Sequence, residues 1–270
     1  MKDLSRRLGV VLPLFVVVIA FLYWAYVPYF GWLIACSMGI IGSIAVWEYE
    51  QLGKTKGVRQ TLSTKTFIPF LIILSFYIQN VPMLPAWVFL AGIVALFALH
   101  FRQNEGAIVD LAFSVFGLLY IAIPMGMLIG ILYGVPNQEG RWWVIYLLTV
   151  TKITDIGGYV CGNLFGRTKL APSISPGKTV EGAIAGLACA VAASGLFYFL
   201  GWPQLVGSFR WLMLGLIFGI VAQFGDLAES LLKRDANKKD SNVLPGLGGA
   251  LDSFDSLLFN IPILYLCLHL

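Results

Sequence analysis

The chain has 270 residues, 59% of them hydrophobic and only 12% charged, about half the charged share of a soluble domain. That composition excludes a water-soluble globular protein. Long unbroken apolar runs, rather than short alternating ones, leave membrane-spanning helices as the way to satisfy the backbone in lipid. The formal net charge of +4 is no argument for a nucleic-acid partner, because the charges are sorted by position rather than spread over a surface. The expected fold is therefore an all-α polytopic membrane protein.

Residues 1–7 are basic and precede an apolar run from Leu8 to about Val27. The run is long for a secretory signal and has no small-residue cleavage site, so it reads as a retained first helix. Further runs cover about 31–47, 66–81, 84–100, 107–134, 142–165, 181–201, 210–232 and 254–270, for about nine spans. The run at 107–134 is long for one crossing, and Pro124 is expected to kink it. With the N-terminus in the cytoplasm, Lys2, Arg6, Arg7, Lys54, Lys56, Arg59, Lys65, Arg102, Arg167, Lys169, Lys178, Lys233, Arg234, Lys238 and Lys239 all fall inside. Only Arg141 and Arg210 fall outside, and Lys152 lies within a span. This bias predicts N-in, C-out. Residues 1–140 form an expected N-terminal half of structural helices and 141–270 a C-terminal half carrying the chemistry. The four cysteines (Cys36, Cys161, Cys189, Cys267) lie in apolar runs and read as small buried hydrophobes.

Charge concentrates near the end, from Gly225 to Ser256, and a charge among membrane helices is costly unless paired or functional. Asp226, Glu229, Ser230 and Lys233 recur at i, i+3, i+4 and i+7, one face of a helix. Solvated charges at a helix end would explain Lys233 and Arg234, but not Asp226 behind the apolar stretch 214–225. Asp252 and Asp255, three apart, are expected to open the last helix on a shared face. Capping alone would need only one of them. Several carboxylates without a nearby histidine favour Mg²⁺ over zinc, and His100 and His269 are both remote from the motifs.

A third stretch, residues 154–182, begins at Asp155, with Lys152 one turn before it. The two are either functional or an ion pair joining helices. The glycines at 157, 158, 162 and 166 are compatible with close helix packing alone. Ser175-Pro176-Gly177-Lys178-Thr179 lacks the first glycine of a Walker A loop, since Pro172 stands there. A lysine and two hydroxyls at an expected helix start, with Glu181 just beyond, still suggest a polyphosphate cradle.

Together the three stretches resemble the phosphatidate cytidylyltransferase (CDP-diacylglycerol synthase) family. Asp155-Ile156-Gly157-Gly158-Tyr159 matches part of one family segment. Ser175, Pro176, Lys178, Thr179, Glu181 and Gly182 match another in full. Gly225 through Arg234, then Lys239 and Asp240, match a third, and Pro245 through Ser256 the closing signature. Leu247 stands where the family has His and Ser253 where it has Arg.

The resemblance implies transfer of CMP from CTP to phosphatidic acid, releasing pyrophosphate. It implies Mg²⁺ on Asp226, Asp252 and Asp255, a second cation such as K⁺, and Lys178, Ser175 and Thr179 on phosphate. Lys233, Arg234 and Lys239 are implied for the lipid head group or pyrophosphate, with Asp155 and Asp240 as further metal or cytosine contacts and Glu181 in the nucleotide segment. A homodimer in the inner membrane, with its site on the cytoplasmic side, is also implied. Three other readings stay open here: a CTP-dependent lipid-alcohol kinase or ether-lipid synthase, an ion-coupled transporter using Lys152 and Asp155, and an inactive scaffold.

Overall fold

A computed structural model describes residues 21–27, 29–58, 62–81, 83–101, 105–201, 209–238 and 249–269. Most of the expected first span, and Arg59, Arg102, Lys239, Asp240 and Leu247, lie outside the described residues. Among the described residues the fold is all-α apart from one small hairpin. Its helices are α1 (Phe30–Gly53), α2 (Leu62–Ser75), α3 (Leu84–His100), α4 (Ala107–Gly117), α5 (Ile123–Gly134) and α6 (Gly140–Phe165). After strands β1 (Lys169–Ala171) and β2 (Ser175–Thr179) come α7 (Val180–Phe199), α8 (Arg210–Asp235), α9 (Ala250–Phe254) and α10 (Asn260–His269).

Among the described residues five helices are long and apolar enough to cross a membrane: Phe30–Lys56, Ala107–Gly134, Gly140–Phe165, Val180–Phe199 and Arg210–Asp235. Leu84–His100 and Asn260–His269 are shorter apolar helices. Exposed Trp87, Leu90, Val94, Phe97, Ile184, Leu196, Phe199 and Ile220 would be a liability in water and are at home against lipid.

The 107–134 run crosses as one piece, with its irregularity where proline chemistry puts it. A π-helical stretch, Leu118–Ala122, lies just ahead of Pro124, whose ring removes one ladder donor and crowds the carbonyl of Tyr120. This segment forms the middle of the core, where Ile121, Met125, Ile129 and Ile131 are fully buried.

Two expectations about local structure are corrected. The last apolar run is not one helix opening at Asp252. Asp252 sits on the short α9, Asp255 follows it in a turn, and α10 begins only at Asn260. Pro262 explains the restart, since proline is tolerated in a first helical turn and not deeper. Likewise Ser175 and Lys178 lie on a strand, not at a helix start. β2 pairs antiparallel with β1, Lys169 opposite Thr179 and Ala171 opposite Ser175, and Thr179, the last residue of β2, is the N-cap of α7.

The helices that carry the polar residues are held together by backbone-close packing. A Cβ added at Gly182 would lie 2.6 Å from the carbonyl oxygen of Gly158, and one at Gly186 would lie 2.8 Å from that of Thr154. The glycine spacing read in α6 therefore works as a packing seam, here against α7.

Candidate active site

Of the hairpin's two lysines, Lys178 points inward. Lys178 Nζ lies 2.7 Å from Asp226 Oδ2 and donates to the Gln223 carbonyl at 3.4 Å, joining β2 to the face of α8 read from the sequence. The neighbouring motif residues hold the hairpin itself. The Thr179 hydroxyl accepts from the Gly182 N–H at 3.2 Å. The Glu181 carboxylate accepts from the backbone N–H groups of Arg167 and Thr168, each at 3.1 Å. Arg234 donates from Nε to the Ile174 carbonyl at 3.1 Å, which ties the hairpin turn to the end of α8.

Two turns beyond Asp226 on α8, Lys233 bridges two carboxylates, Glu229 at 2.7 Å and Asp252 at 2.9 Å. Glu229 is fully buried, and a buried carboxylate persists only with such a partner. The N-terminal half reaches the same place. Glu48, fully buried near the end of α1, accepts from the Leu251 N–H at 2.8 Å, so a residue 203 positions away fixes the helix that carries Asp252.

The third group lies where α6 meets the turn after α9. Ser256 Oγ donates to Asp155 Oδ2 at 2.9 Å. Lys152 Nζ is 3.1 Å from the Ser253 carbonyl, 3.4 Å from Ser256 Oγ and 3.7 Å from Asp155 Oδ2. Asp226 is brought alongside by Gly225: a Cβ there would lie 2.6 Å from the Asp255 carbonyl oxygen and 3.3 Å from Ser256 Cα. Burial first, and the Asp226 carboxylate second, push the Asp255 carboxyl above the ordinary carboxylate range.

Asp155, Lys178 and Asp226 line a cavity of about 320 Å³ together with Tyr159, Asn163 and Ser175, among others. That is the lower end of the size range of small-molecule sites. Asp155, Ser175, Lys178, Asp226, Lys233, Asp252 and Asp255 are thus brought into one connected region. Thr179, Glu181 and Arg234 serve the hairpin's own geometry. Among the described residues no three acidic, histidine or cysteine side chains are already gathered as a metal site, since Lys178 holds Asp226 and Lys233 holds Asp252. The donor set still fits Mg²⁺, a hard ion that usually takes one or two carboxylates together with substrate phosphates and water. Residues missed in the sequence, Asn163 and Gln223, are polar side chains in otherwise apolar segments, a signal that was there to be read.

Fold and site define a class: a helical integral membrane protein with a pocket of paired lysines and carboxylates, the side chains that hold phosphorylated substrates and their cations. Residues 7–270 match the model of the cytidylyltransferase family, and the chain belongs to that family; it is a nucleotidyltransferase. It is 34% identical to the phosphatidate cytidylyltransferase of Chlamydia pneumoniae, over 98% of this chain and 92% of that protein. To the protein of the same name from Synechocystis it is 31% identical, over 87% of this chain and 88% of the relative. The likeness to the Chlamydia muridarum phosphatidate cytidylyltransferase, 38%, covers 69% of this chain and less than two thirds, 64%, of that relative.

Proposed function

We propose that this chain transfers CMP from CTP to phosphatidate, giving CDP-diacylglycerol and pyrophosphate. The observation that supports the reading is the convergence of residues from three separate sequence motifs: Asp155, Lys178 and Asp226 line one cavity, and Asp255, at the close approach of Gly225, and the Lys233–Asp252 pair lie on the neighbouring turn and helix. A phosphatidate oxygen, already anionic near neutral pH, forms a bond to the α-phosphorus of CTP while the bond to the bridging β-phosphate oxygen breaks. The nucleophile therefore needs positioning rather than a base.

Lys178, half-buried beside Asp226, turns its charge to the triphosphate. Lys233 orients Asp252 at the edge of the site. Asp226 and Asp255, drawn together at Gly225, are the first pair to hold Mg²⁺, with Asp252 beside them; the bound ion would neutralise phosphate charge. Lys239 and Asp240 remain candidates for the head group and nucleotide. The positive-inside bias supports about nine spans, N-in and C-out, in the inner membrane with the site facing the cytoplasm. The homodimer belongs to the same reading.

The test is transfer of label from CTP to phosphatidate by purified protein with Mg²⁺. Asp226→Asn, Asp252→Asn and Asp255→Asn should each abolish nearly all turnover while the protein still inserts. Wild-type turnover in all three would overturn the metal assignment, and no labelled lipid from the unmutated protein would overturn the activity.

A further inference from the structure

Lys152 is a basic residue beside the site that the proposed reaction leaves unused, and it sits in the middle of a candidate span. A lone ammonium group in such a place needs oxygen partners. It has three, from different parts of the chain: the Ser253 carbonyl at 3.1 Å, Ser256 Oγ at 3.4 Å and Asp155 Oδ2 at 3.7 Å. Ser256 is fully buried and itself donates to Asp155. A backbone carbonyl, a hydroxyl and a carboxylate are the oxygen types that coordinate a hard cation. Next to this nest stand Asp255, Asp226 and their close contact at Gly225. Three carboxylates thus share one region that Lys152 partly neutralises, with Lys178 on the far side of Asp226.

We propose that Lys152 is a cation built into the chain. Its ammonium group occupies the oxygen nest between α6 and the Ser253–Ser256 turn and supplies the positive charge that a free monovalent cation would otherwise provide there. The second, monovalent cation implied by the sequence resemblance is on this view unnecessary in this protein. The catalytic consequence rests on the cytidylyltransferase reading, whereas the structural one does not.

The test removes the side chain and offers a free ion in its place. Purified Lys152→Ala in detergent is melted in ammonium, potassium or choline chloride at equal ionic strength. The expected result is a melting midpoint several degrees higher in ammonium or potassium than in choline. The unmutated protein should show no such dependence on cation identity. Mn²⁺ binding, followed by its electron-paramagnetic signal, should tighten about tenfold in choline, because a positive charge near the divalent site has gone. Lys152→Arg should keep wild-type Mn²⁺ affinity.

A Lys152→Ala protein that melts alike in all three salts and binds Mn²⁺ as the wild type does would make Lys152 a plain interhelical tether and overturn the proposal. If Lys152→Ala does not survive purification, the double variant Lys152→Met/Asp155→Asn, with one negative charge fewer, should survive. Loss of that variant too would overturn it. None of these measurements uses CTP or phosphatidate, so failure of the proposed activity would show separately.

Discussion

The approach of α8 to the catalytic turn depends on one missing side chain, and Gly225→Ala tests it. The added Cβ would sit 2.6 Å from the Asp255 carbonyl oxygen, about 0.8 Å inside ordinary contact, with Ser256 Cα at 3.3 Å on the same side. Both obstacles are backbone, so no rotamer change relieves them and the turn must back away from α8. Overpacking of this kind costs about 1–3 kcal/mol, while alanine in a helix interior returns about 1 kcal/mol. The net loss is roughly 0–2 kcal/mol, a few degrees of melting temperature at most.

Catalysis should suffer far more. A shift approaching 1 Å between Asp226 and Asp255 is of the size that costs about 100-fold in rate. The assay pairs thermal melting with CTP-to-phosphatidate turnover in mixed micelles, and Gly92→Ala serves as the control. That glycine faces Ile68 Cγ2 at 2.8 Å, a comparably tight contact on α2 and α3, helices that carry none of the site residues, and turnover there should stay within about twofold. Wild-type turnover in Gly225→Ala, or an equal loss in Gly92→Ala, would refute the claim that this contact sets the site.

Three further substitutions probe how the site is held. Glu48→Ala leaves the buried Leu251 N–H without its acceptor, at about 1–3 kcal/mol, and should lower turnover through Asp252; Glu48→Gln, which keeps an oxygen there, should recover most of both. Asn260 donates to Thr151 Oγ1 at 3.0 Å and to the Phe218 carbonyl at 3.1 Å, pinning α10 to α6 and α8, so Asn260→Ala should lower the melting midpoint by about 1–3 kcal/mol equivalent. Tyr146 and Ser194 share a buried hydrogen bond of 2.6 Å well away from the charges; Tyr146→Phe should cost about 1 kcal/mol in a melt and leave turnover unchanged.

What the sequence made legible follows from what is periodic or local. Apolar runs of about twenty residues have one solution in lipid, and helical spacing alone put Asp226, Glu229 and Lys233 on one face. What it hid was long-range. Lys152 and Asp155 were visible as an i, i+3 pair, but their third partner, Ser256, lies 101 residues from Asp155. Glu48 was just an acidic residue ending an apolar run until its contact with Leu251 appeared. Ser175 to Thr179 looked like a helix start because Thr179 does cap one. The strand before it exists only by pairing with Lys169–Ala171, and short-range propensity does not encode that pairing. Asp252 and Asp255 kept their proximity yet lost their shared helix, because α9 ends at Phe254 and Asp255 opens the turn that follows.

The arrangement of the charges carries a further step. Each lysine near the site is matched to a carboxylate or its neighbours: Lys178 to Asp226, Lys233 to Glu229 and Asp252, Lys152 to Asp155. Ion pairing of this kind lets charges exist among apolar helices without each costing several kcal/mol. The two ends of the series differ in freedom. Lys233 is nearly buried between two acids and cannot leave them without stranding fully buried Glu229. Lys178 sits on a strand at the cavity wall, where it is held by Asp226 and the Gln223 carbonyl. A substrate that brings both phosphate and a divalent ion offers partners to both halves of the Lys178–Asp226 pair at once. That pair can open without leaving an uncompensated charge, and on this ground it is where substrate binding begins.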